Sequence, residues 1–107
     1  MKKVMIVDDN YLNAEGIEKN IDWKALDAEV SSVKYDSRSA LDAMRENPVD
    51  LIISDIEMPD LDGISMSKLA LSLNPLVKII LVSAYDKFEY ARRAIRLGIF
   101  DYIEKPL

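Results

Sequence analysis

The sequence predicts an α/β fold built on a parallel sheet, and three observations support this prediction. First, short continuous apolar runs at residues 4–7, 51–53 and 79–82 are typical of strands buried on both faces of a sheet. Second, segments with helical spacing of apolar residues separate these runs. Third, only a few residues connect one element to the next. When one helix follows each strand, successive strands must run parallel, because the helix returns the chain to the starting edge.

Two more strands and four helices complete the predicted order β-α-β-α-β-α-β-α-β. Residues 28–35 form a mixed segment that we expect at the outer edge, and residues 99–103 are aromatic and β-branched. The predicted helices are residues 12–21, 37–47, 63–74 and 86–97. Proline or glycine follows each of the last three helices, where such residues end a helix. In the third helix, helical spacing predicts one buried stripe, formed by Met66, Leu69, Ala70 and Leu73.

Composition excludes several classes of function. The 107 residues suit one domain, residues 1–107. Cysteine and histidine are absent, which excludes disulfides, Cys/His zinc sites and Ser-His-Asp triads. The net charge of −5 argues against direct binding of a nucleic-acid backbone by this chain. Because no apolar run is long enough for a membrane span or a signal peptide, we expect a cytoplasmic protein without membrane contact.

Chemically useful side chains follow the predicted strands. Asp8 and Asp9 follow the first, Asp55 the third, Ser83 the fourth and Lys105 the fifth. Carboxyl ends of parallel strands share one edge, where ligands bind in such folds, so we expect these side chains to converge. Each residue alone has a simpler interpretation, such as a helix cap, a turn former or a solvated lysine. Those interpretations do not explain why four strands end in complementary groups.

These groups suit phosphoryl chemistry that depends on a metal ion. Three carboxylates held close together repel one another and resist ionisation, and a divalent cation relieves that repulsion. Mg²⁺ binds oxygen ligands, commonly one or two carboxylates together with phosphate oxygens. A carboxylate oxygen is a competent nucleophile toward phosphorus, and a metal, a lysine and a hydroxyl neutralise the transferred group. The sequence therefore predicts a Mg²⁺ site with a phosphoryl-accepting carboxylate.

Four segments together resemble the response-regulator receiver domain of two-component signalling. They are residues 4–9 (VMIVDD), 51–63 (LIISDIEMPDLDG), 81–84 (LVSA) and 102–106 (YIEKP). The resemblance implies a flavodoxin-like, doubly wound, five-stranded parallel sheet with strand order 2-1-3-4-5. Receivers normally continue into a fifth helix, so with the chain ending at Leu107 we expect that final helix to be missing.

The resemblance also assigns the metal and the nucleophile. It implies that Asp55 accepts a phosphoryl group from a sensor histidine kinase. Asp9 is implied as a direct Mg²⁺ ligand, and Asp8 as a ligand acting mostly through water. Asp55 and the backbone carbonyl of Glu57 complete the implied protein ligands. The domain would catalyse its own phosphorylation and dephosphorylation without turning over a separate substrate.

Three further residues are implied to read the phosphorylated state. Ser83 would hydrogen-bond a phosphoryl oxygen in the active state. Lys105 would pair with the phosphoryl group, or with Asp55 before phosphorylation. Tyr102, three residues before Lys105, occupies the aromatic switch position of the family.

A finer resemblance concerns the output of the switch. Residues 21–23 (IDW) and 83–91 (SAYDKFEYA) resemble receivers joined to AraC-type helix-turn-helix domains, which implies control of transcription. DNA would then be bound only by a C-terminal output domain outside this chain, and a homodimer is compatible with this arrangement. A simpler interpretation makes Trp23 a core residue over the sheet edge. We also expect Asp60 and Asp62 to form turns rather than bind metal.

Two other functions compete with the phosphoacceptor hypothesis. One is a receiver that acts as a protein-interaction module without phosphorylation. The other is a small Mg²⁺-dependent phosphohydrolase, which is weakly supported because the sequence offers no substrate cap or second base. The complete set of strand-end residues favours the phosphoacceptor hypothesis over both.

Overall fold

Five parallel strands form one sheet in the computed structural model, which describes residues 1–83, Arg96 and residues 101–104. The strands are β1 (Lys2–Val7), β2 (Ala28–Lys34), β3 (Leu51–Asp55), β4 (Lys78–Ser83) and β5 (Asp101–Glu104). The helices are α1 (Tyr11–Asn20), α2 (Ser37–Glu46) and α3 (Gly63–Leu73), with a short 3-10 helix at Lys24–Leu26. The sheet order is β2-β1-β3-β4-β5 with every pairing parallel, which confirms the predicted order 2-1-3-4-5.

The element bounds agree closely with the predicted ones. The first three predicted helices each differ from the observed helices by one residue at the C-terminus, and the first also at the N-terminus. All five strands overlap the predicted ones: β1, β3 and β4 extend beyond the apolar runs, and β5 covers Asp101–Glu104 where residues 99–103 were predicted. Arg96 is helical and exposed, while the rest of the predicted helix 86–97 and residues 99–100 lie outside the described residues.

The sheet is covered on both faces, as the doubly wound prediction requires. Successive side chains of a strand point to opposite faces, so neighbouring strand residues belong to different core clusters. Met5 and Ile52 pack in a cluster with residues of α2 and α3. Val4 and Ile53 pack in a second cluster with residues of α1. All four side chains are 5% exposed or less, so β1 and β3 are the central strands of the core.

Trp23 covers one side of the second cluster. Its ring packs against that cluster, and its Nε1–H donates a hydrogen bond of 2.9 Å to the carbonyl oxygen of Glu18. Trp23 is therefore a partly buried residue that packs on the core, which agrees with the simpler interpretation of this residue.

The predicted buried stripe of α3 is wrong for two of its four residues. Met66 and Ala70 are buried, but Leu69 and Leu73 are 47% and 42% exposed. The buried residues of α3 are Gly63, Ile64, Met66, Ser67 and Ala70. Ser67 is completely buried, and its hydroxyl donates to the carbonyl oxygen of Gly63 at 2.6 Å. The start of α3 packs closely on the backbone at Asp55. Spacing alone does not reveal which of two overlapping stripes is buried.

Among the described residues, no helix is long and apolar enough to cross a lipid bilayer.

Candidate functional site

Three aspartates converge at the carboxyl ends of the two central strands. Asp8 and Asp9 directly follow β1, and Asp55 is the last residue of β3. Since Val7 pairs with Ser54, the chain positions that follow, 8 and 55, lie side by side. One carboxylate oxygen from each aspartate lies within 4.8 Å of the others. The structure thus brings together the three carboxylates that the sequence analysis assigned to the metal site.

The local turn after β1 places the first two aspartates differently. Asp8 is 1% exposed, and its Oδ1 accepts a hydrogen bond of 2.9 Å from the N–H of Asn10. Asp9 is exposed. The N-cap of α1 is Asn10, whose side chain accepts from the N–H of Asn13, so neither aspartate caps the helix. The helix-cap interpretation of Asp8 and Asp9 is therefore wrong, and the turn orients the carboxylate of Asp8 instead.

The backbone at Asp55 is fixed from two sides. The hydroxyl of buried Ser54 donates to the carbonyl oxygen of Asp55 at 2.8 Å, and Oδ1 of Asp55 accepts from the N–H of Ile56 at 2.9 Å. The first residue of α3 packs directly on this peptide, because a Cβ atom built on Gly63 would lie 2.1 Å from the carbonyl oxygen of Asp55. Only glycine permits this approach to the peptide that carries the half-buried Asp55 side chain.

Residues 56–62 form the loop between β3 and α3, which we call the β3–α3 loop. The N–H of Gly63 donates to the carbonyl oxygen of Ile56 at 2.7 Å and closes the base of the loop. Glu57 is exposed, whereas Met58 is buried in the first core cluster. Asp62 caps α3, with its Oδ1 accepting from two backbone N–H groups at 2.9 Å. This loop therefore has anchored ends, with Glu57 between them.

Asp60 makes a contact that the sequence analysis missed. Its carboxylate accepts hydrogen bonds from the first two N–H groups of α2, those of Ser37 at 3.3 Å and Arg38 at 3.0 Å. Asp60 is exposed, and slight desolvation of its carboxylate raises its pKa, but the N–H groups of Arg38 and Ser37, with those of residues 61 and 60, hold the pKa below its ordinary value. The turn-forming role expected of Asp60 and Asp62 does not describe these contacts, because Asp60 contacts the start of α2 and Asp62 caps α3. No sequence signal pairs Asp60 with a helix more than twenty residues earlier.

The remaining predicted residues are placed only by their backbone. Ser83 ends β4 one position beyond Val82, the pairing partner of Asp55, and so lies at the same edge of the sheet. Tyr102 lies in β5 opposite Leu81. The side chains of Ser83 and Tyr102, and the whole of Lys105, lie outside the described residues. Their roles stay predictions.

The chemistry of the described cluster fits a hard divalent cation. All three donors are carboxylate oxygens, and no softer ligand competes because the sequence contains neither histidine nor cysteine. One carboxylate is buried, one is half-buried and one is exposed, so a cation would be held at the protein surface with room for water ligands.

The comparisons with known proteins agree with this geometry. The family model described as "Response regulator receiver domain" matches residues 4–107. The REC domain of AraT, a response regulator from Geobacillus stearothermophilus, superposes with a TM-score of 0.91 at 38% sequence identity, covering 98% of this chain and 81% of that one.

Two curated bacterial relatives match over nearly the whole chain. The transcriptional regulatory protein YesN of Bacillus subtilis is 28% identical over 99% of this chain, and HptR of Staphylococcus aureus is 31% identical over 100%. The chain spans 29% of the length of YesN and 42% of the length of HptR.

Proposed function

Since this chain belongs to the response regulator receiver domain family, we propose that it is a phosphoacceptor switch whose nucleophile is Asp55. The phosphoryl donor would be the phosphohistidine of a sensor histidine kinase. One observation carries the proposal: Asp8, Asp9 and Asp55 offer carboxylate oxygens within 4.8 Å of one another at the carboxyl edge of the sheet. A cluster of this kind suits a divalent cation and a phosphoryl group together.

Asp9 and Asp55, with the backbone carbonyl of Glu57, would hold Mg²⁺ directly. Exposed Asp9 and half-buried Asp55 suit direct contact with a cation that keeps part of its hydration shell. Asp8 is buried and already accepts from the N–H of Asn10, which suits a contact made mostly through water. Bound Mg²⁺ would supply positive charge next to the phosphoryl oxygens.

Asp55 would act as the nucleophile in an in-line displacement. One of its carboxylate oxygens forms a bond to phosphorus, the bond from phosphorus to the imidazole nitrogen breaks, and the imidazole leaves with that electron pair. The chain's own contribution is position, because the contacts of Ser54 and Gly63 fix the peptide that carries Asp55. By the family resemblance, Ser83 and Lys105 would bind the phosphoryl oxygens.

The output of the switch would be control of transcription. Ser83 would move toward the phosphoryl group and Tyr102 would follow, changing the surface near β4 and β5. YesN and HptR are named as transcriptional regulatory proteins and are more than twice as long as this chain. We therefore expect an AraC-type DNA-binding domain beyond the receiver, in a cytoplasmic regulator for which a homodimer is compatible.

The experiment is labelling with acetyl phosphate and Mg²⁺, read by intact mass. We expect one added phosphoryl group on the wild type and none on Asp55→Asn, which keeps the shape but lacks a nucleophilic carboxylate. Asp42→Asn is the matched control, because Asp42 is an exposed aspartate of α2 outside the cluster. Removing Mg²⁺ with EDTA should abolish labelling.

Equal labelling of the wild type and Asp55→Asn would contradict the assignment of the nucleophile. A wild type that is never labelled, with Mg²⁺ present, would favour the interaction module that works without phosphorylation.

A further inference from the structure

Two carboxylates from distant parts of the chain meet the N-terminus of α2. Asp36, the N-cap, accepts from the N–H of Ser39 at 2.7 Å. Asp60, from the β3–α3 loop, accepts from the N–H groups of Ser37 and Arg38. The first N–H groups of a helix have no partner within the helix. Here one local and one distant side chain satisfy three of them.

The same N-terminus contacts the β3–α3 loop at two more points. The hydroxyl of Ser37 donates to the carbonyl oxygen of Leu61 at 2.6 Å and contacts the sulfur of Met58 at 3.7 Å. Ser37 is completely buried and Met58 is 9% exposed. The segment from Met58 to Leu61 is therefore fixed to the start of α2, and Asp60 supplies the one charged contact between these two parts.

We propose that Asp60 is a positioning residue for the metal site, because it holds the β3–α3 loop with the carbonyl group of Glu57 in place for a divalent cation. This inference rests on the proposed function. A loop that is ordered before binding does not lose further conformational entropy when the cation binds. Without Asp60, part of that ordering would be required at each binding event, so the affinity for Mg²⁺ would fall.

The position of Asp60 requires a carboxylate, because each of its two oxygens accepts from a different N–H group. Oδ1 faces the N–H of Ser37 and Oδ2 faces the N–H of Arg38. Asparagine has one acceptor oxygen, and its NH₂ group would meet a second N–H donor. Asp60→Asn should therefore keep part of the effect, and Asp60→Ala should lose all of it.

The test measures the Mg²⁺ concentration that gives half-maximal labelling by acetyl phosphate, together with the rise in melting temperature on adding Mg²⁺. We expect Asp60→Ala to raise that concentration at least threefold and Asp60→Asn to give an intermediate value. Asp36→Ala is the matched control, because Asp36 caps the same helix without touching the loop. It should lower the melting temperature but leave the half-maximal Mg²⁺ concentration at the wild-type value.

Each outcome decides between roles. Equal shifts in Asp60→Ala and Asp36→Ala would mean that Asp60 only stabilises α2, and no shift in either variant would also overturn the inference. If Asp60→Ala does not fold, the same comparison is made with Asp60→Asn. If Mg²⁺ neither supports labelling of the wild type nor raises its melting temperature, the proposed function itself is overturned. If the wild type responds to Mg²⁺ and Asp60→Ala needs the same Mg²⁺ concentration, only the inference about Asp60 is overturned.

Discussion

Burial distinguishes the three aspartates of the cluster, residue by residue. Asp8 is buried and accepts a hydrogen bond from the backbone of the following turn, so its orientation is fixed by the fold. Asp55 is half-buried on a fixed peptide, and Asp9 is exposed. Removing Asp9 therefore disturbs packing least, which makes it the best position for testing the metal site by mutation.

Mg²⁺ should stabilise the folded chain, because a ligand that binds only the native state adds its binding free energy to that of folding. At one hundred times the dissociation constant the gain is about 2.7 kcal/mol. Asp9→Ala should abolish most of the rise in melting temperature. Glu46→Ala is the control: it removes an exposed acid at the end of α2, and the rise in melting temperature should stay at the wild-type value. An equal rise in Asp9→Ala would place the cation elsewhere.

The two glycines at described helical positions should respond to alanine with opposite signs. At Gly63 the new methyl group would overlap the backbone of Asp55, so the free energy of unfolding should fall by about 3 kcal/mol. At Gly16, inside α1, the nearest atom outside the helix backbone is 3.8 Å away. There alanine should stabilise by about 0.5–1 kcal/mol. Urea unfolding measures both changes, and a tolerated Gly63→Ala would contradict the close contact of α3 with Asp55.

At the scale of elements, α3 shows how packing overrides spacing. Its sequence contains two overlapping stripes, one with leucines at 69 and 73 and one with residues 63, 67 and 70. The second stripe is buried together with Ile64 and Met66, and its first residue packs on the Asp55 peptide. The hydrophobic pattern predicts that the leucines are buried. They are exposed in the structure, where Gly63 makes a tertiary contact that the pattern does not reveal.

The observed buried face of α3 predicts opposite tolerance to substitution at a buried and at an exposed position of the helix. Ser67→Leu adds a large side chain at a completely buried position and should lower the free energy of unfolding by about 1–3 kcal/mol. Leu69→Gln changes an exposed position to a good helix former and should stay within about 0.5 kcal/mol of the wild type. Urea unfolding of the two variants measures the difference. If Leu69→Gln lowered the free energy of unfolding more than Ser67→Leu, the predicted stripe would be the buried one after all.

At the scale of the whole molecule, the parallel sheet and the acidic cluster were predictable from the sequence pattern, whereas the strand order was implied only by the family resemblance. Apolar runs identify the strands, single helices between them require parallel pairing, and parallel pairing brings residues 8, 9 and 55 to one edge. The contact of Asp60 with α2 was not predictable, because its partners lie 22 and 23 residues away and meet only through packing. The difference in burial between Asp8 and Asp9 was not predictable from composition or spacing, although the family resemblance already implied different roles for them.

The acidic charge of the whole chain agrees with the proposed switch, which would signal through other proteins or domains. With 19 acidic and 14 basic residues, the chain carries a net charge of −5 and would repel a phosphate backbone. Contact with DNA is therefore left, in our proposal, to an output domain. The account then depends on a single event in this chain, the formation of an acyl phosphate at Asp55.

Locating that acyl phosphate tests the central claim most directly. Borohydride reduces an aspartyl phosphate to homoserine with release of phosphate, and peptide mass spectrometry then identifies the altered position. After labelling with acetyl phosphate and Mg²⁺, we expect homoserine at position 55 and unchanged aspartate at positions 8 and 9. Homoserine at position 8 or 9, or a phosphoryl group that resists reduction, would contradict the assignment of Asp55 as the phosphoacceptor.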